Sequence, residues 1–123
     1  MTSLSILVPV YNEIKCLKEF TASLTKSFKD IDAEYIFIND GSTDGSAEWL
    51  KNFIDQNNNP KIKLINFLKN KGKGSAIKKG LEASSGDYIL FQDSDLELDT
   101  KDSLEIYNIM VKDSKIECIF GSR

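Results

Sequence analysis

The sequence contains no histidine. That absence removes Ser-His-Asp and Cys-His nucleophile systems, imidazole-ligated metals and imidazole bases, so any chemistry falls to carboxylates, amines, hydroxyls and backbone. Cysteine is nearly as scarce: only Cys16 and Cys118 occur. Two thiols without paired spacing make neither a structural zinc site nor a disulfide framework, and they read as reduced core thiols of a cytosolic protein. No apolar run approaches the ~18 residues of a membrane span. The opening MTSLSILVPVYNE lacks a basic region and meets polar residues too soon for a secretory signal. A soluble, cytoplasmic chain is therefore expected. An excess of positive charge is missing too, since 16 Lys and Arg stand against 19 Asp and Glu for a net charge of −3. No overall positive field exists to hold a nucleic-acid backbone, and no nucleic-acid partner is expected.

What remains is the make-up of one ordinary globular domain, with 41% hydrophobic residues and only 7 Gly and 2 Pro in 123 residues. No internal repeat, low-complexity stretch or linker divides it, so residues 1–123 read as a single domain. Short β-rich runs alternate with helical patterns throughout, the signature of repeated βαβ units and a mostly parallel sheet flanked by helices. The expected strands are Leu4–Val10, Glu34–Asn39, Ile62–Phe67, Tyr88–Gln92 and Ile116–Phe120. A first helix is expected from about Glu13 to Phe28, with Asn12 as its cap, a stripe of Ile14, Leu17, Leu24 and Phe28, and Phe20 on its flank. A second carries Ala47, Leu50 and Ile54 with Trp49 and Phe53 beside them, capped by Ser42 or Asp44 and ended near Pro60. In a third, Ile77 and Leu81 lie four residues apart while Ala76, Gly80 and Ala83 permit close approach to a sheet. The fourth spans Thr100 to Lys112 and uses Leu104, Tyr107 and Val111.

Parallel α/β sheets bind ligands at the carboxyl ends of their strands. Four such ends carry unusual polar segments here, VYNE, NDGSTDGS, LKNKGKGS and QDSDLELD. In the last of these, Asp93, Asp95, Glu97 and Asp99 recur at every second residue. An extended chain projects them on one side, which is costly without a cation among them and suits a hard ion such as Mg²⁺ or Mn²⁺ bridging a diphosphate. The same spacing also suits a solvated acidic turn, with Asp99 capping the next helix. NDGSTDGS looks like a calcium loop until its twelfth position, which is Lys51 instead of a bidentate Glu. A strand end delivering Asp40 to a ligand, followed by a turn that starts a helix, fits better. NKGKGS is no Walker motif, because Phe67 stands where its first glycine belongs and Gly74 where Ser or Thr belongs. Lys71 and Lys73 with two flexible glycines suit phosphates or a base, and equally suit a solvated, basic helix start.

Taken in order, ILVPVYNE, FINDGSTDGS, NKGKGSAIKKGLEASSGDYILFQDSDLELD and the terminal FGSR resemble the family-two glycosyltransferases of the Rossmann-like GT-A nucleotide-binding fold. The similarity is strongest to the dolichol-phosphate mannosyltransferase and polyprenyl-phosphate glucosyltransferase branch. It implies a nucleotide-diphosphate sugar as donor, GDP-mannose or a UDP-sugar, a polyprenyl or dolichyl phosphate as acceptor, and Mg²⁺ or Mn²⁺ as cofactor. By this resemblance Pro9, Tyr11 and Glu13 lie along the nucleoside, with Tyr11 against the base. Asp40 accepts a hydrogen bond from a base N–H, and Lys71 and Gly72 approach the base or phosphates. Asp93 sits near ribose and metal, Asp95 ligates the metal, Glu97 is a further ligand, and Arg123 lies near phosphate, so Asp95 and Arg123 form the catalytic set. The family's chains continue well beyond the Gly-Ser-Arg, so the resemblance implies that this chain holds the donor-binding half, with an apolar face open to self-association. The parent would then work at the inner membrane face. Other classes stay open on the residues alone: a nucleotidyltransferase, which lacks its Gly-rich loop here, a nucleotide-binding module without turnover, and a receiver-like domain, which lacks its acidic pair.

Overall fold

The computed structural model describes residues 3–94 and 100–112. The elements run β1 (Leu4–Val10), α1 (Ile14–Ser27), β2 (Ala33–Asp40), α2 (Ser46–Asn57), β3 (Ile62–Phe67), α3 (Lys73–Ala83), β4 (Tyr88–Phe91) and α4 (Thr100–Lys112). The four described strands are parallel and ordered β3-β2-β1-β4. The expected strand Ile116–Phe120, with Cys118, lies outside the described residues.

β1 and β2 are central, and every residue of β2 is buried. Such runs follow when helices cover both faces of a parallel sheet. Side chains alternate accordingly: Ile6, Val8 and Val10 pack with Leu17, Phe20, Leu24, Phe37 and Leu50 on one face. Leu7, Ile36 and Ile38 meet Ala76 of α3 on the other. Phe20, expected on the flank of α1, is fully buried, because the buried stripe runs Leu17, Phe20, Thr21, Leu24 at helical spacing. In α3 the buried positions are Ala76 and Gly80, while Leu81 is 43% exposed and Ala83 is also exposed. A Cβ on Gly80 would stand 3.0 Å from Ile38 Cδ1 and 3.2 Å from Leu7 Cδ1, so helix and sheet approach too closely there for a larger residue. α4 buries Ser103 and Tyr107, whereas Val111, expected on that stripe, is 47% exposed. Tyr107 packs edge-on against Tyr88 with ring centroids 5.9 Å apart. Cys16 is a half-buried free thiol. Among the described residues no helix is long and apolar enough to cross a membrane.

Opposite the carboxyl ends of the strands sits one buried charge. Glu34, at the start of β2, accepts hydrogen bonds from Ser5 Oγ, Lys63 Nζ (2.9 Å), Ser85 N (2.6 Å) and Ser85 Oγ (3.0 Å). Ser5 Oγ in turn accepts from Gly86 N at 2.8 Å. One carboxylate thus ties β1, β2, β3 and the α3–β4 turn together. Burial pushes its pKa up, but the bonds from Ser5, Lys63 and Ser85 outweigh burial and bring it from 4.5 down to about 2.

Candidate functional site

The chain builds outward from β1 through β2 to β3, then returns to place β4 on the other side of β1. This reversal opens a crevice at the carboxyl ends of β1 and β4, where open α/β sheets take their ligands. A cleft of about 310 Å³ occupies that position. β1 and its exit contribute Pro9, Val10, Tyr11 and Glu13, and β2 contributes Asp40. The β3–α3 connection adds Asn70, Gly72 and Lys73, and the residues after β4 add Asp93 and Ser94.

Asp40 is buried, and its carboxylate serves the protein first. Oδ1 accepts from Lys71 N at 2.7 Å, while Oδ2 accepts from Gly72 N at 3.0 Å and Asn70 Nδ2 at 3.1 Å. A carboxylate offers about four lone-pair sites, so these bonds leave one, on Oδ1, for a further donor. Asn70, which sequence reasoning passed over, also donates to the Asp40 carbonyl at 3.2 Å. Its only signal was a side-chain amide just before Lys-Gly, a residue type equally common in plain turns.

Gly41 makes this clasp possible. Its φ is +72°, and a Cβ there would lie 2.3 Å from Asn70 N and 2.5 Å from the Lys69 carbonyl carbon. Gly41→Ala therefore meets both a left-handed backbone and a clash with fixed main chain. We expect it to destabilise the domain by more than about 2 kcal/mol, read as a lowered urea midpoint, and to release the 70–72 loop.

The Tyr11–Glu13 segment is held from β2–α2. Asn12 N donates to Ser42 Oγ (3.0 Å), Glu13 N to Ser46 Oγ (3.1 Å) and Ile14 N to Asp44 Oδ2 (3.1 Å), while Thr43 N donates back to Asn12 Oδ1 (2.8 Å). Asn12 is thus not the cap of α1; Glu13 holds that position, and Asn12 sits at φ 53° facing the neighbouring loop. Of Ser42 and Asp44, expected to cap α2, Ser42 bonds to Asn12 ahead of α1 and Asp44 to the first residue of α1, and Gly45 takes the cap position of α2. Asp44 still reaches α2 through Ser46 N at 3.0 Å. Burial raises its pKa, but bonds from Ser46 and Ile14 prevail and hold it below 3.8. The stitched segment leaves Tyr11 48% exposed at the cleft.

Of the expected binding residues, Pro9, Tyr11, Glu13, Asp40, Gly72 and Asp93 line this cleft. Lys71 does not line it: its N–H holds Asp40, and its ammonium lies 5.0 Å from the centre of the Phe67 ring. Asp93 Oδ1 accepts from Lys73 Nζ at 2.5 Å. Asp93 thus already neighbours one cationic group inside the cleft; its oxygen is of the hard type that Mg²⁺ or Mn²⁺ takes, and among the described residues no group of three or more such ligands comes together. Asp95 and Glu97, the other expected ligands, lie outside the described residues, as do Asp99 and Arg123.

Comparisons with known proteins give the family and the fold. The glycosyl transferase family 2 model matches residues 5–120. A dolichyl-phosphate beta-glucosyltransferase of Dictyostelium discoideum is 36% identical, the match covering 98% of this chain and 39% of that protein. The chain thus spans about two fifths of the length of that relative. Among solved structures, a mannosyltransferase from Pyrobaculum calidifontis in complex with GDP-Man and Mn²⁺ aligns with a TM-score of 0.69 at 21% identity, over 75% of this chain and 27% of that one. S. aureus TarS in complex with UDP-GlcNAc aligns with a TM-score of 0.70 at 24% identity, over 90% and 31%. These likenesses are of fold, and they agree with the GT-A architecture that the motifs imply. With nearly its whole length matched by one family model, the chain belongs to glycosyl transferase family 2.

Proposed function

We propose that residues 1–123 form the nucleotide-sugar-binding domain of a metal-dependent, inverting glycosyltransferase that moves a sugar from GDP-mannose or a UDP-sugar to a polyprenyl or dolichyl phosphate. The observation that carries this reading is the convergence of the β1 exit, Asp40, the Asn70–Lys73 loop and Asp93 on one cleft at the sheet's switch point. The Dictyostelium relative, named for a dolichyl phosphate, favours a lipid-linked phosphate as acceptor. The bound GDP-Man and UDP-GlcNAc of the structural neighbours favour a nucleotide sugar as donor.

In this reading the exposed Tyr11 ring supports the base, and the remaining lone pair of Asp40 Oδ1 accepts a base N–H, so Asp40 selects rather than catalyses. Pro9 and Glu13 bound the nucleoside, and Gly72 lets the backbone come near base or phosphate. Asp93, Asp95 and Glu97 would hold Mg²⁺ or Mn²⁺, which supplies charge neutralisation at the departing nucleoside diphosphate. Arg123 offers a guanidinium to phosphate. A phosphate acceptor is already an anionic nucleophile, so little general-base help is needed from a chain without histidine.

Calorimetric titration of UDP and of GDP, each with and without Mn²⁺, tests this on the wild type and on Asp95→Ala. One nucleotide should bind with Mn²⁺ and lose that Mn²⁺-dependent affinity in the variant. Failure of both nucleotides to bind the folded domain at millimolar concentration overturns the reading.

A further inference from the structure

Lys73 is the first residue of α3, and that helix has no acidic residue in its first turn. A cation at the positive end of a helix is locally unfavourable, so a lysine there calls for a reason outside the helix. The structure supplies one in Asp93, whose Oδ1 receives the Lys73 ammonium at 2.5 Å across the cleft. The lysine side chain is 59% exposed, and exposed pairs of this kind are weak and readily exchanged. Of the expected metal ligands Asp93, Asp95 and Glu97, Asp93 is the one among the described residues, and it lines this cleft. Ammonium and metal ion cannot both sit on that carboxylate without like-charge repulsion.

We propose that Lys73 makes metal binding and nucleotide binding depend on each other. With no nucleotide present, its ammonium neutralises Asp93 and opposes a lone divalent ion. When a nucleoside diphosphate enters, the ammonium passes to a phosphate oxygen, a favourable partner for a lysine at a helix start, and no longer competes with the metal for Asp93. Each ligand thereby raises the affinity for the other by one shared factor, as linkage requires. This inference rests on the cleft being a nucleotide site, and it adds a coupling residue that the motif expectations for Asp93, Asp95 and Glu97 do not contain.

The test is Lys73→Met, which keeps a long aliphatic side chain at an exposed position and removes the charge. Free Mn²⁺ is counted by electron paramagnetic resonance as it is titrated into wild type, Lys73→Met and Lys73→Met/Asp93→Asn, first without nucleotide and then with saturating UDP or GDP. Nucleotide affinity without metal is measured by calorimetry, and a thermal midpoint matching the wild type shows that the variant is folded. Lys73→Met should bind Mn²⁺ alone roughly twofold to fivefold more tightly, bind nucleotide alone about tenfold more weakly, and show a smaller gain of one from the other. The added Asp93→Asn change should erase the gain in Mn²⁺ affinity. Unchanged or weaker Mn²⁺ binding by Lys73→Met, with nucleotide still bound by the wild type, overturns the role of Lys73 and leaves the nucleotide site standing. Failure of UDP and GDP to bind the wild type overturns the nucleotide site, and the coupling falls with it.

Discussion

Replacing Glu34 with glutamine should flatten the acid limb of the stability curve, and replacing it with alanine should come close to unfolding the domain. The Glu34 carboxyl has a pKa of about 2 in the folded chain against a usual 4.5. A depressed carboxylate contributes stability that is fully present above its unfolded pKa and is lost as pH falls through the folded one. The window is therefore pH 4.5 down to about 2, and the contribution at neutral pH is about 3 kcal/mol. Most of it comes from hydroxyl and amide donors rather than from Lys63, whose side chain is half-exposed and weakly paired. Glutamine keeps one acceptor for Ser5 and Ser85 and gives up the charge, so it should cost about 2 kcal/mol at pH 7 and little at pH 2. Alanine strands the Ser5 hydroxyl and the Ser85 amide, at a cost of about 3 to 5 kcal/mol. Urea unfolding of the three proteins from pH 7 to pH 2 checks this. Parallel pH profiles for wild type and Glu34→Gln would show that the carboxylate is not the acid-sensitive group.

Glu34 also marks where the sequence stopped being legible. A glutamate at the edge of an apolar run reads as the polar start of a strand, and its donors lie 29 and 51 residues away along the chain. The alternation of β-rich and helical patterns was sufficient for eight elements and their parallel sense, because period and length are local properties. Strand order was not local, and it is the order β3-β2-β1-β4 that places the cleft. The helix caps show the same boundary from another side. Residue types at Asn12, Ser42 and Asp44 announced capping, yet Asn12 and Ser42 satisfy the backbone of the neighbouring loop and Asp44 divides its oxygens between Ile14 N and its own helix at Ser46 N, since the two segments meet only after β1 and β2 have paired. In α3 the expectation of close approach through Ala76 and Gly80 is fulfilled, whereas Leu81 turns outward because those small residues alone already fill the contact with Leu7 and Ile38. The cleft was legible as a set of residues that converge, and not as a set of bonds.

That difference decides what Asp40 does, and Asp40→Asn separates the two possibilities. Sequence and resemblance assign this carboxylate to a ligand, whereas the structure spends three of its acceptor positions on Asn70, Lys71 and Gly72. An asparagine in the same place turns one oxygen into an N–H₂ group. Whichever way the amide is oriented, at least one partly buried backbone N–H then faces a donor instead of an acceptor. The cost should be about 2 to 3 kcal/mol of stability, with the 70–72 loop released, and nucleotide affinity should fall at least about tenfold. Lys71→Ala removes a side chain that lies over Phe67 but keeps the N–H that binds Asp40. It should leave the loop in place and change affinity by no more than about threefold. Hydrogen exchange of the Lys71 and Gly72 amides in nucleotide-free protein distinguishes the routes to lost affinity. If Asp40 acts by holding the loop, those two amides lose protection in Asp40→Asn and keep it in Lys71→Ala. If they stay protected in Asp40→Asn while affinity collapses, the carboxylate acts on the nucleotide itself, through the one lone pair the loop leaves on Oδ1. The clasp would then be incidental to binding.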